Sequence, residues 1–195
     1  LSSAASDVYK RQHMELSKLE ESKNIAVIGA GPGGLEAART AALRGCKVTI
    51  YEATDKIGGT FGAIASPSFK KRIRELITWY GVQLDKLGVE IKLNTKIMPD
   101  DDVLLKADEI FVSTGSVPCV PNIRGIDNPK VIDVTKAHVE GVQGDKVVIC
   151  GGGLSGCDTA LELAMQGKEI TIVEMLDHCA RDVMMINKIS LDRLL

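Results

Sequence analysis

The sequence predicts an α/β fold with parallel strands, assembled from one β–α–β unit used twice. Three observations carry that expectation. Residues 25–52, IAVIGAGPGGLEAARTAALRGCKVTIYE, align without a gap on 147–174, VVICGGGLSGCDTALELAMQGKEITIVE, at a constant offset of 122 (147 − 25). Nine of those 28 positions are identical, and they fall on the loop, the small face of the helix, the turn and the last residue. In both copies a short apolar, mostly β-branched run leads into G-x-G-x-x-G, and a second such run ends in an acid.

Each element has a physical reason. Ile25–Ile28 and Val147–Ile149 are continuous apolar runs of the kind that parallel strands buried on both faces require. The first glycine of each loop, Gly29 or Gly151, permits a tight turn. The second, Gly31 or Gly153, lets the backbone approach a pyrophosphate, and the third, Gly34 or Gly156, lets the helix sit against the strand. The helix that follows directs its N-terminal amides and the positive end of its dipole at phosphate. Ala37, Ala38, Ala41 and Ala42 keep the first of these helices close to the sheet, and Gly45 and Gly167 suit helix C-termini. Glu52 and Glu174 are placed to accept hydrogen bonds from a ribose hydroxyl. Each copy therefore has the parts of a Rossmann-like dinucleotide site. A lone G-x-G-x-x-G is weak evidence, but strand, loop, helix, strand and acid in order, twice, is specific. Units kept only for packing would not need both glycine sets and both acids.

The stretch between the copies adds Gly58-Gly59, a second place for close backbone approach. A long helix is expected next, with apolar positions at Ile73, Leu76, Ile77, Tyr80, Leu84 and Leu87. Gly88 ends it, VEIKLN (89–94) is the following strand, and EIFVSTGS (109–116) is a later one that ends on Thr114-Gly115.

Composition narrows the function. Hydrophobic content of 45% and charged content of 26% are those of a soluble globular protein. A net charge of −2 with scattered basic residues gives nucleic acid no footprint, and no apolar run is long enough to span a bilayer. The five cysteines form no C-x-x-C pair, which removes a dithiol motif and argues against zinc or iron–sulfur ligation within these residues. Their odd number suits a reducing, cytoplasmic compartment. Cys150 and Cys157 are expected as small buried residues at a strand end and a helix start. His13, His138 and His178 have neither ligand nor triad spacing. No residue is singled out as a general acid, base, nucleophile or metal ligand.

The stretches KNIAVIGAGPGGLEAARTAALRG, KIGG, FKKRIREL, QLDKLGVEIKLNT, GGGLSGCDTALELA and VEMLD...ARDV span nearly everything from Glu15 onward. They resemble the C-terminal half of the old-yellow-enzyme-like NADH:flavin oxidoreductases, the family of 2-enoate reductase, 2,4-dienoyl-CoA reductase and trimethylamine dehydrogenase. The resemblance implies that the first loop takes the ADP part of FAD through Gly29, Gly31, Pro32, Gly33, Gly34, Glu52 and Gly59. Thr114 and Gly115 match the family's A-T-G turn, with Ser113 in place of Ala, and Thr60-Phe61 stand where the family usually has Gln. By the same resemblance the second loop takes the nicotinamide dinucleotide through Gly151, Gly153, Gly156 and Glu174. Glu174 would repel a 2′-phosphate, and residues 175–180 contain no Lys or Arg to offset it, so NADH is expected over NADPH. Asp158 is expected as a first-turn partner of the helix dipole. The implied chemistry is a relay in which nicotinamide gives a hydride to flavin.

The resemblance also implies protein beyond this chain. MELSKLEES resembles the linker from a TIM barrel that carries FMN and an iron–sulfur cluster and reduces enoate or dienoyl-CoA-type substrates. Residues 2–12, SSAASDVYKRQ, resemble the translation of a sequencing-library adapter, so 1–12 are read as a non-native, disordered leader. The expected organisation is then a linker at 13–23, an FAD-binding domain at 24–116 and an incomplete NAD(P)-binding domain at 117–195. The end, MMINKISLDRLL, reads as an amphipathic helix cut short, so a truncated chain is expected to aggregate and to hold flavin weakly. Two other functions fit the same motifs: a barrel-free NAD(P)H:flavin diaphorase or electron-input subunit serving a separate acceptor protein, and a non-catalytic NADH-binding module. A methyltransferase is disfavoured by the duplicated unit and by Gly58-Gly59.

Overall fold

A computed structural model describes residues 16–181; the expected leader and the expected terminal helix at 184–195 lie outside the described residues. The described chain forms two compact units. One runs up to Gly62 and includes Glu75–Gly115; the other comprises Ala63–Arg74 and the chain from Ser116 onward.

The first unit is built on a four-stranded parallel sheet of β1 (Asn24–Ile28), β2 (Lys47–Tyr51), β3 (Glu90–Lys92) and β4 (Glu109–Val112), in the order β3-β2-β1-β4. Ile25 is paired with Val48 and Glu109, and Val27 with Ile50 and Phe111. Helix α1 (Pro32–Leu43) buries Gly34, Leu35, Ala38 and Ala41, while Ala37 and Ala42 are half-buried. The small side chains let it lie on β1 and β2, where Ile25, Val27, Ala30, Leu35, Ala38, Val48 and Ile50 form one core with Leu84 and Val89. Burying each of the larger side chains contributes about 1.5–3 kcal/mol. Gly45 follows α1 at φ +90°, as a helix terminator should.

The segment after β2 holds α2 (Gly59–Ile64), a 3₁₀ turn at Ser68–Lys70 and α3 (Lys71–Lys86). The expected long helix is present and ends before Gly88, whose φ is +70°. Its apolar stripe is less buried than the periodicity implied. Leu84 alone is buried, Ile73, Ile77 and Tyr80 are half-buried, and Leu76 is 39% exposed. The strand expected at 89–94 is shorter, because Asn94 turns at φ +52° and donates its N–H to the Thr54 carbonyl at 2.8 Å. A short α4 (Asp102–Lys106) leads into β4, which stops at Val112 rather than running on to Ser116.

In the second unit β5 (Lys146–Cys150) pairs in parallel with β6 (Glu169–Val173), Val147 opposite Ile170 and Ile149 opposite Ile172. They are joined by α6 (Leu154–Met165), which buries Gly156, Cys157, Thr159, Ala160 and Leu163. Before them α5 (Val134–Glu140) is capped by Asp133, whose carboxylate accepts from the Lys136 N–H at 3.0 Å. Two expectations need correction here. Cys150 is exposed, because the last residue of β5 faces away from α6, whereas Cys157 is fully buried as expected. Asp158 lies beyond the first turn of α6 and is not a dipole partner. Its carboxylate pairs with Lys70 Nζ at 2.6 Å, and one turn further on Glu162 accepts from the Ser68 N–H and hydroxyl at 3.1 and 3.2 Å. Residues 68–70 are thereby fastened along α6. No helix among the described residues is long and apolar enough to cross a membrane.

Candidate dinucleotide-binding sites

The first glycine loop joins β1 to α1 and is fixed from three sides. Gly29 turns at φ +102° and donates its N–H to the Tyr51 carbonyl at 2.8 Å. A Cβ at Gly29 would run into the carbonyl of Ser113, the residue just after β4, and a Cβ at Gly34 would overlap the Gly29 carbonyl oxygen. Only glycine lets helix, loop and both strands meet there. The third support is Gly58, whose N–H reaches the Ala30 carbonyl at 2.8 Å. Behind it Gly59 comes so near that a Cβ would sit 3.2 Å from the Gly31 Cα. Gly58-Gly59 thus serve the loop itself by close approach of backbone to backbone.

Glu52, at the end of β2, is 7% exposed. One carboxylate oxygen accepts from the Ala30 N–H at 2.7 Å, and the other from the Thr54 N–H at 2.9 Å and hydroxyl at 2.8 Å. Burial alone would raise its pKa, but the hydrogen bonds from Ala30 and Thr54 together outweigh it and hold the carboxyl below its usual range. It is a charged clamp on the loop. A carboxylate has about four lone-pair sites, so capacity remains for a further donor.

Gly31 and Gly33 face the other way. A Cβ on either would meet nothing within 4 Å, and no side chain caps the N-terminus of α1, which begins at Pro32. The first-turn amides therefore lie behind a surface that glycine alone keeps bare, and that donor set fits a pyrophosphate. Thr114 and Gly115 follow β4, the neighbour of β1, and are exposed, Gly115 at φ +73°.

The second loop repeats this construction. Gly151 turns at φ +108° and donates to the Val173 carbonyl at 2.8 Å. A Cβ at Gly156 would overlap the Gly151 carbonyl oxygen, whereas one at Gly153 would meet nothing within 4 Å, and α6 has no side-chain cap. Glu174 accepts from the Gly152 N–H at 2.6 Å and the Leu176 N–H at 3.0 Å; those bonds hold its carboxyl below the usual range, so it is ionised at neutral pH. Ala180 donates to the Gly152 carbonyl at 2.7 Å, as Gly58 does to Ala30.

The partners Ala30/Gly152, Glu52/Glu174, Thr54/Leu176 and Gly58/Ala180 all keep the offset of 122. The structural repeat therefore runs past Glu52, where sequence identity thins, as far as Gly58 and Ala180, both at positive φ (+111° and +54°). Thr54 and the loop-to-loop role of Gly58 were not legible in the motifs. The identity of Asp55 and Asp177 at the same offset was the available signal.

Two copies of one glycine-loop and acid geometry on parallel β–α–β units define a protein that binds two dinucleotides. The chain belongs to the pyridine nucleotide-disulphide oxidoreductase family, whose profile matches residues 4–98 and 24–193, and that family binds FAD and NAD(P)H. It is 45% identical over 161 residues to the cinnamate reductase of Clostridium sporogenes, covering 82% of this chain and 24% of that protein. It is 33% identical to the NADH oxidase of Thermoanaerobacter brockii, covering 92% of this chain and 28% of that protein. The structure of a 2-naphthoyl-CoA reductase in complex with 2-naphthoyl-CoA superposes with a TM-score of 0.86 at 39% identity, covering 92% of this chain and 27% of that one. The chain thus spans about a quarter of the length of these relatives. Despite the family's name, all five cysteines are free.

Proposed function

We propose that this chain is the electron-input region of an NADH-dependent flavoprotein oxidoreductase of the enoate reductase type, with FAD on residues 24–116 and NADH on residues 117–195. The observation that carries the reading is the duplicated clamp, in which an ionised acid and a glycine loop are locked together twice in one chain. FAD would be held by Gly29, Gly31, Pro32, Gly33, Gly34, Glu52, Gly59, Thr114 and Gly115, and NADH by Gly151, Gly153, Gly156 and Glu174. When bound, the flavin supplies the chemistry, accepting a hydride from reduced nicotinamide and passing electrons onward.

The chain's own residues bind and orient. Gly31 and Gly153 keep the loop backbone bare for a pyrophosphate, and the uncapped helix ends supply N–H donors and a positive dipole end. Glu52 and Glu174 fix the loops and retain lone pairs for a ribose hydroxyl. At Glu174 the fixed negative charge opposes a 2′-phosphate, which favours NADH over NADPH. The names of the relatives, cinnamate reductase and 2-naphthoyl-CoA reductase, support conjugated acids or their CoA esters as substrates of the parent protein. That reduction is assigned to a preceding barrel in the parent chain with FMN and an iron–sulfur cluster, in the cytoplasm.

Anaerobic addition of NADH to the chain kept saturated with added FAD, against the same FAD without protein, tests the reading. Bleaching of the flavin absorbance by NADH is the expected result. NADH binding with no flavin bound and no bleaching would make the chain a nucleotide-binding module instead.

A further inference from the structure

Two cysteines meet beneath the second glycine loop. Cys157, early in α6, is fully buried, and its thiol lies against the Gly152 carbonyl at 3.2 Å. Cys179 comes from the strap after β6, residues 174–181, and packs against Cys157 and Ala180. Its sulfur is 2.5 Å from where a Cβ on Gly152 would lie. The strap is held to the loop by the Gly152–Glu174 and Ala180–Gly152 hydrogen bonds. At the equivalent positions of the first unit, 122 residues earlier, stand Leu35 and Ile57, two hydrocarbons of one core. The second unit has two thiols where the first has an apolar contact.

We propose that Cys157 and Cys179 are a redox-modification site that forms a reversible disulfide under the second dinucleotide loop, with hydrogen peroxide as oxidant. Cys179 is only partly buried and is the thiol that peroxide reaches. Its sulfur attacks one oxygen of hydrogen peroxide, the O–O bond breaks, and the departing hydroxide takes the Cys179 proton and leaves as water, so that Cys179 becomes a sulfenic acid. The Cys157 sulfur then attacks the sulfenic sulfur, the S–O bond breaks, and a second water departs with the Cys157 proton. Two thiols lose two electrons in total, and the peroxide is reduced to two waters. Burial, with the neighbouring Cys179, pushes the Cys157 thiol up to about 11, so it stays protonated until Cys179 is oxidised.

A sulfur–sulfur bond of about 2.05 Å draws the strap toward α6. The strap begins with Glu174, which on the NADH reading above meets the ribose. Oxidation is therefore expected to weaken NADH binding about tenfold.

The test is peroxide treatment of the 195-residue chain, alkylation of remaining thiols and non-reducing peptide mass spectrometry, with NADH affinity measured in parallel. The expected product is a Cys157–Cys179 cross-linked peptide two hydrogens lighter and released by dithiothreitol. In Cys157→Ser the Cys179 sulfenic acid should be trapped by dimedone. Cross-links that run mainly to the exposed Cys119 or Cys150 would overturn the proposal, as would a pair still fully alkylated after those thiols are oxidised. A disulfide that leaves NADH affinity unchanged would overturn the effect on binding. Failure of the reduced chain to bind NADH would instead count against the NADH assignment.

Discussion

The Glu52 carboxylate accepts the Ala30 N–H at 2.7 Å, and 122 residues later Glu174 accepts the Gly152 N–H at 2.6 Å. Each acid directly follows its strand, β2 or β6, and reaches back to the first peptide of its own glycine loop. The acids thus hold the loops in shape whether or not a ribose is present, and removing one is expected to act on the fold as well as on binding.

The two kinds of loop glycine separate stability from binding. Gly34→Ala and Gly156→Ala place a methyl group on the carbonyl oxygen of Gly29 or Gly151 and should cost about 1–3 kcal/mol by overpacking. Gly31→Ala and Gly153→Ala put the methyl where the chain has no atom within 4 Å. Urea unfolding should find these two within about 0.5 kcal/mol of the parent sequence, while their dinucleotide affinities fall.

Glu52 gives stability a definite dependence on pH. Its folded pKa lies below the ordinary carboxyl value of 4.5, so its contribution is complete above about pH 4.5 and is lost as the pH falls through the folded value. Glu52→Gln should cost about 1.5–3 kcal/mol at neutral pH. The gap between the two proteins should close as the solution is acidified below that range, as chemical unfolding at a series of pH values would show. A gap independent of pH would contradict the charged clamp.

Glu174→Gln keeps the shape of the side chain and removes its charge. The ratio of NADH to NADPH affinity should fall toward parity, read by titration with each dinucleotide. An unchanged ratio would place the discrimination elsewhere.

The Lys70–Asp158 pair is mostly buried, at 17% and 21% side-chain exposure, and should matter more than an exposed one. Asp158→Asn is expected to destabilise by about 1–3 kcal/mol. Glu169→Gln, which breaks the Lys146–Glu169 pair at 67–80% exposure, should change stability by less than about 1 kcal/mol. Thermal or urea unfolding of the two variants compares them directly.

Local chemistry explains which parts were legible in the sequence. Gly29, Gly34, Gly151 and Gly156 are forced by sterics that any tight strand-to-helix turn imposes, so the β–α–β units follow from glycine spacing and apolar runs alone. The role of Asp158 was not legible, because its partner Lys70 is 88 residues away and only the tertiary fold brings them together. Cys150 misled for a similar reason: a residue at a strand end has two faces, and spacing does not say which one is covered. The apolar spacing from Ile73 to Leu87 identifies a helix, found at Lys71–Lys86, but overstates how much of it is buried.

The most direct test of the central claim, two dinucleotide sites of different identity in one chain, is equilibrium dialysis of the chain and of its Gly31→Ala and Gly153→Ala variants against FAD and NADH at up to millimolar concentration. On this assignment Gly31→Ala loses FAD and keeps NADH, and Gly153→Ala loses NADH and keeps FAD. Loss of both ligands in each variant, or the opposite pairing of loop and ligand, would contradict it.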